Sequence, residues 1–202
     1  MNYVDPGGDT LIVSSTGYIL ERRGDDPNVY YQYRDQLVHI GQIDDFVDVS
    51  FIFSNLIKEN TRLARFMNPF RLRSLVRNKG EWDFKNNLKT IYGIANDRQT
   101  VFLFKGERMI AEDIGNYHFG AITKSNILIS EKFALQQAGK AQISAGTSRP
   151  EWQKYEIVPH IVVSPSGIQV VTYQTVLSAP YGDDPNDQRW IKKGFKYKGL
   201  IK

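Results

Sequence analysis

The hydrophobic period of the chain changes near residue 45, and that change governs what it can fold into. Before it, apolar residues alternate over short runs, "TLIVSS" (10–15), "GYILERR" (17–23), "NVYYQYR" (28–34) and "QLVHIGQ" (36–42). Gly17, "GDDPN" at 24–28 and "RDQ" at 34–36 interrupt these runs. Alternation cut by turn residues predicts a small antiparallel meander with Tyr30, Tyr31 and Tyr33 on its faces. After the change, Val49, Ile52, Phe53, Leu56, Ile57, Leu63 and Phe66 recur near i, i+3, i+4 and i+7, which predicts a helix with one buried face over 46–67.

Local signals bound the later elements. Asn68 and Pro69 start a helix that Gly80 stops. "LKTIYGIA" (88–95) and "TVFLFKG" (100–106) flank "NDRQ" and read as a hairpin. Ser130 caps a helix that ends at Gly146, with Phe133, Leu135, Ala138, Ala141 and Gln142 on its inner surface. "HIVVSPSGIQVVTYQ" (160–174) is a second hairpin, and Asp184 with Pro185 opens a last helix whose lysines gather toward its end. The fold class is therefore α+β, an N-terminal antiparallel meander followed by a helix-rich domain with two hairpins, divided at 1–45 and 46–202.

A chain of 202 residues buries a core without staples, and zero cysteines exclude disulfides, thiolate nucleophiles and cysteine zinc sites. No apolar run approaches the ~20 residues of a spanning helix, so no membrane span is expected. The net charge of +4 and pI of 9.1 suit an anionic partner. The densest basic series is Arg62, Arg65, Arg71, Arg73, Arg77 and Lys79, either a solvated helix face or a surface for phosphates or a partner.

Three polar clusters carry possible chemistry. In "DIGNYHFG" (113–120), Gly115 and Gly120 would let backbone approach a substrate while Asp113, Asn116, Tyr117 and His118 form a cleft wall. There His118 would carry a proton and Asp113 orient its ring. In "GTSRPEWQK" (146–154), Arg149 and Glu151 supply a cation and a carboxylate on a loop that Pro150 and Trp152 stiffen. In "YGDDPNDQ" (181–188), Asp183, Asp184 and Asp187 lack the sixth-position glycine and closing glutamate of a calcium loop, so no metal or cofactor is expected. Each cluster also has a structural reading, as backbone-bonded polar residues, an ion-paired turn and a helix cap respectively. Phosphate-binding glycine loops, dinucleotide fingerprints, zincin motifs and nucleophile elbows are all missing.

Taken in order, "KGEWDFK", "DIGNYHFGAI", "AGKAQISAGTSRPEW" and "PYGDDPNDQRWIKKGFKY" resemble the bacterial polymorphic toxin type 44 domain, over about Asn68 to Lys198. "NYVDPGGD" resembles the junction that closes an Rhs/YD-repeat core. The resemblance implies a secreted effector for interbacterial competition, delivered into a target cell by its parent polypeptide and restrained by a cognate immunity protein.

Two mechanisms and one non-catalytic reading follow. A metal-independent ribonuclease in the target cytosol would use His118 as base or acid, Asp113 as orienter, and Lys140 and Arg149 as phosphate stabilisers. A peptidoglycan-cleaving glycoside hydrolase in the periplasm needs two carboxylates roughly 5 to 9 Å apart, drawn from Glu112 or Asp113 with Glu151, Asp183 or Asp187. Tyr117 and Trp152 would line its groove, and Gln142 and Gln188 are further substrate-binding candidates. In the third reading the chain is a binding module whose motifs are caps and turns.

Overall fold

A computed structural model describes residues 10–24, 27–96 and 100–199. The "NYVDPGGD" junction, Asp25 and Asp26 of the first turn and most of "NDRQ" lie outside the described residues. The fold is α+β, and the chain divides into two compact units, Met1–Ile129 with Trp190–Lys202, and Ser130–Arg189. The division does not fall at residue 45, because the sheet continues past it.

In the first unit the strands are β1 (Thr10–Val13), β2 (Ile19–Arg23), β3 (Asn28–Tyr33), β4 (Gln36–Gln42), β5 (Phe46–Asp48), β6 (Val101–Phe104) and β7 (Glu107–Met109). They form one sheet in the order β2-β1-β3-β4-β5-β6-β7. The first five make the expected meander-like arrangement with one difference, since β1 pairs with β3 in parallel. β5 also pairs in parallel with β6, which carries the sheet on to β7.

The hairpin expected from 88–95 with 100–106 does not form; β6 pairs instead with β7, and the chain turns at Lys105 and Gly106, whose φ of 51° and 83° suit the tight turn that matches strand twist. The expected strand at 88–95 is instead helical over Ile91–Ile94, a short α3. Thr90 accepts the Gly93 N–H as its cap, and a Cβ on Gly93 would lie 2.2 Å from the Asn87 carbonyl oxygen. This local closure overrides the β-branched composition of the stretch.

Helix α1 (Ser50–Ala64) buries Ile52, Phe53, Leu56 and Ile57, and α2 (Pro69–Val76) starts where Asn68 accepts the Phe70 N–H. Leu63 and Phe66, expected on the buried face, are exposed. Helix α4 (Ala111–Ser125) packs on α1, and Phe53 sits among the rings of Tyr92, Phe104 and Tyr117 at 5.7, 4.9 and 5.9 Å. Helix α6 (Pro185–Phe195) runs across the division, and its C-terminal half belongs to this unit.

The second unit contains α5 (Glu131–Ala145), a 3-10 turn at Pro150–Trp152, the hairpin β8 (Tyr155–Val163) with β9 (Gln169–Leu177), and the start of α6. Ser130 accepts the Phe133 N–H, and Gly146 ends α5 with a φ of 73°, as the sequence signals require. The buried stripe of α5 is Ala134, Leu135 and Gly139; Phe133 and Ala141 face solvent. Gly139 takes the inner position because a Cβ there would lie 1.9 Å from the Tyr181 carbonyl oxygen. No described helix is long and apolar enough to cross a membrane.

Candidate functional site

The four motifs meet in pairs. In the first unit, "KGEWDFK" and "DIGNYHFGAI" come together around His118. The octet is helical, and Ile114, Tyr117, His118, Ala121 and Ile122 recur at i, i+3, i+4, i+7 and i+8 of α4, all buried. That period was present in the sequence and would have placed His118 on the inner face. The ring is 1% exposed and meets Phe84 and Trp82 edge-on at centroid distances of 4.7 and 5.8 Å. Asn60 Nδ2 lies 3.0 Å from Nε2, so with Asn60 as donor the ring is neutral and carries its proton on Nδ1. Burial pulls the His118 pKa down to about 3.

The neighbours of His118 in the octet also have structural partners. Asp113 accepts the Ile110 N–H at 3.0 Å as part of the α4 cap, and Glu112 pairs with Lys85 at 2.6 Å. Tyr117 is packed against Phe53, Phe104 and Tyr197, and burial, reinforced by Tyr197 and Glu107, pushes its phenol up to about 12. Gly120 approaches protein backbone rather than a substrate: a Cβ there would lie 2.0 Å from the Ile191 carbonyl oxygen, while one on Gly115 would meet nothing within 4 Å. Asn116 has a buried Nδ2 with no partner among the described residues. The octet is thus a helix face turned into the core, and a ring sealed among aromatics with Nε2 bonded to Asn60 is not placed to exchange protons with a substrate at neutral pH. Asn60 was not among the sequence candidates, and its only signal was a polar residue in the apolar stripe of α1.

In the second unit the remaining two motifs converge on Asp183. The turn before α6 is held by Tyr181 and Gly182, with φ of 62° and 83°. The Gly182 N–H donates to the Trp152 carbonyl at 2.9 Å, which ties this turn to the 3-10 turn at 150–152. The N–H groups of Thr147 and Ser148 donate to the Gln142 carbonyl, and Gln153 Nε2 donates to Ser148 Oγ at 3.2 Å. α5, the 146–154 loop and the 181–188 turn therefore form one connected framework.

Two carboxylates are built into it. Asp183, 2% exposed, accepts Gln188 Nε2 at 2.5 Å, and the same Nε2 lies 3.2 Å from the Leu135 carbonyl. Asp187, one helical turn along, accepts Gln142 Nε2 at 2.9 Å. Gln188 Oε1 is buried without a partner among the described residues. Asp184 accepts the Asn186 N–H at 2.8 Å as the helix cap.

The adjoining loop supplies exposed groups. Arg149 stacks over the Trp152 ring at 5.0 Å, and Glu151 is exposed and in no ion pair among the described residues, so the two do not form the ion-paired turn. Lys140 is exposed on α5. Among the described residues no group of three His, Asp or Glu is arranged to hold a metal ion. Of the sequence candidates, Gln142, Arg149, Glu151, Trp152, Asp183, Asp187 and Gln188 share this framework, while Asp113, Asn116, Tyr117 and His118 belong to the other unit. Compared with models of known families, with curated proteins and with solved structures, the chain matches none.

Proposed function

We propose that this chain is the effector module of a secreted bacterial toxin and that it cleaves a cell-wall glycan through the carboxylates of its second unit. The resemblance of the four ordered motifs to the type 44 toxin domain supports the toxin class, with a cognate immunity protein as its partner. The observation that carries the glycan-cleaving reading is the framework around Asp183, in which a buried carboxylate fixed by Gln188 adjoins a loop bearing the unpaired, exposed Glu151.

Glycoside cleavage asks for a proton donor at the leaving oxygen and a second carboxylate facing the sugar ring. Glu151 is the carboxyl that reaches solvent, and it would hold the donor's proton only once a bound glycan covers it. Asp183, 2% exposed and held by Gln188, does not face the groove and would act through space, as a fixed negative charge behind the loop that steadies the oxocarbenium-like transition state. Trp152 and the carboxamide of Gln142 fit the stacking and hydrogen-bonding needs of a sugar. The ribonuclease reading depended on His118, and its burial and lowered pKa deprive that mechanism of its proton carrier.

The test is bacterial growth on inducing the chain without immunity, once in the cytosol and once exported by an added signal peptide. Killing only after export, abolished by Glu151→Gln, is the expected result. Killing from the cytosol alone would overturn the proposal and return RNA as the target.

A further inference from the structure

The basic series on α1 and α2 takes no part in the proposed centre. From Lys58 to Lys79 the chain carries seven cations and one anion, Glu59, a net +6. The whole chain carries +4, so the other 180 residues sum to −2, and the positive character of the protein lies in this segment. All seven cations are exposed, and none is in an ion pair among the described residues.

The same surface exposes large apolar side chains. Leu63, Phe66 and Phe70 are 63%, 74% and 82% exposed, and Ile127 and Leu128 are each 67% exposed. Asn126 brings the two stretches together, since its Nδ2 donates to the carbonyls of Ala64 and Met67 at 2.7 and 2.8 Å. The Ile127 N–H donates to the Arg65 carbonyl at 3.4 Å, which sets Ile127 beside the end of α1. Arg65 lies over the Phe66 ring at 5.3 Å, and Lys124 on the last turn of α4 adds a further exposed cation.

Cations alone suit any polyanion. Phe66 and Phe70 could stack on single-stranded bases, but the aliphatic Leu63, Ile127 and Leu128 select among polyanions, because a nucleic acid offers no apolar layer for them to enter. A bilayer offers both, with anionic headgroups for the arginines and acyl chains for the apolar tips. We propose that the end of α1, the start of α2 and the 126–128 turn form a docking surface for an anionic lipid bilayer, on which the protein rests without spanning it. This surface stands independently of the glycan-cleaving reading.

The experiment is co-sedimentation of the full chain with vesicles of phosphatidylglycerol and phosphatidylcholine at about 3:7, and with phosphatidylcholine alone, each cation being worth about fivefold in partitioning onto the anionic surface. Binding to the mixed vesicles and not to the neutral ones is expected. The double variants Phe66→Ser/Phe70→Ser and Arg62→Gln/Arg65→Gln should each weaken it tenfold or more, while Lys196→Gln leaves it unchanged. All these positions are exposed, and a thermal melt of each variant checks that it folds before its binding is compared. No binding to mixed vesicles would overturn the proposal. So would binding that survives loss of both phenylalanines, or capture of a homopolymeric RNA by a chain that ignores vesicles, either of which would mark a generic polyanion surface.

Discussion

Asn60 Nδ2 lies 3.0 Å from Nε2 of His118, joining the inner face of α1 to that of α4 through one polar contact inside an aromatic shell. A neutral imidazole is part of the packing there. Below its ordinary pKa of 6.5 the unfolded chain takes up a proton that the folded chain refuses down to about pH 3. The stability contributed by the neutral ring is complete above pH 6.5 and is lost as the pH falls from 6.5 toward 3, at up to ~1.4 kcal/mol per pH unit. Melting curves between pH 7 and pH 4 should fall more steeply for the native chain than for His118→Gln. Parallel slopes would show that the ring is not buried neutral.

Two glycines of the octet should behave in opposite ways. Gly120→Ala places a methyl group against the Ile191 carbonyl and forces α4 from α6, at a cost of about 2 to 3 kcal/mol by the usual scale of overpacking. Gly115→Ala meets open space inside a helix and should stabilise by ~0.5 to 1 kcal/mol. Denaturant midpoints of the two variants check both signs.

What could be read in the sequence was mostly local. Asn68 with Pro69, Ser130 with Gly146, and the "SPSG" turn each bound an element within a few residues, and the corresponding helices and hairpin form there. The parallel pairing of β1 with β3 and of β5 with β6 depends on partners distant in sequence, so no run of alternating residues reveals it. The short helix at Ile91–Ile94 was hidden because a cap at Thr90 outweighs β-branched composition. At the site, the aspartates and glutamines of the second unit were legible as residue types, whereas their pairing, Gln142 with Asp187 and Gln188 with Asp183, required the fold. The polar density of the octet suggests a cleft, whereas its helical period, set by Ile114, Tyr117, Ala121 and Ile122, turns His118 into the core.

Removing the Gln188 carboxamide should cost more than removing that of Gln142. Gln188→Ala leaves the buried Asp183 carboxylate without that donor, a loss of about 2 to 3 kcal/mol, whereas Gln142→Ala frees the Asp187 pair nearer solvent for about 1 kcal/mol. Urea unfolding of the two variants gives the comparison. Equal losses would mean that Asp183 is held by its other surroundings.

Glu112 competes with Glu151 for the role of proton donor and can be separated from it. Its pair with Lys85 is partly exposed, so Glu112→Gln should change stability by less than ~1 kcal/mol and leave glycan cleavage intact. A variant that folds normally and loses cleavage would move the donor to the first unit.

The most direct measurement is release of reducing ends from purified peptidoglycan by the native chain, Glu151→Gln, Asp183→Asn and His118→Gln, each at matched folded concentration. Release by the native chain and by His118→Gln is expected, with a loss of a hundredfold or more in both carboxylate variants. No release by the native chain, or release that persists in Glu151→Gln and vanishes in His118→Gln, would contradict it.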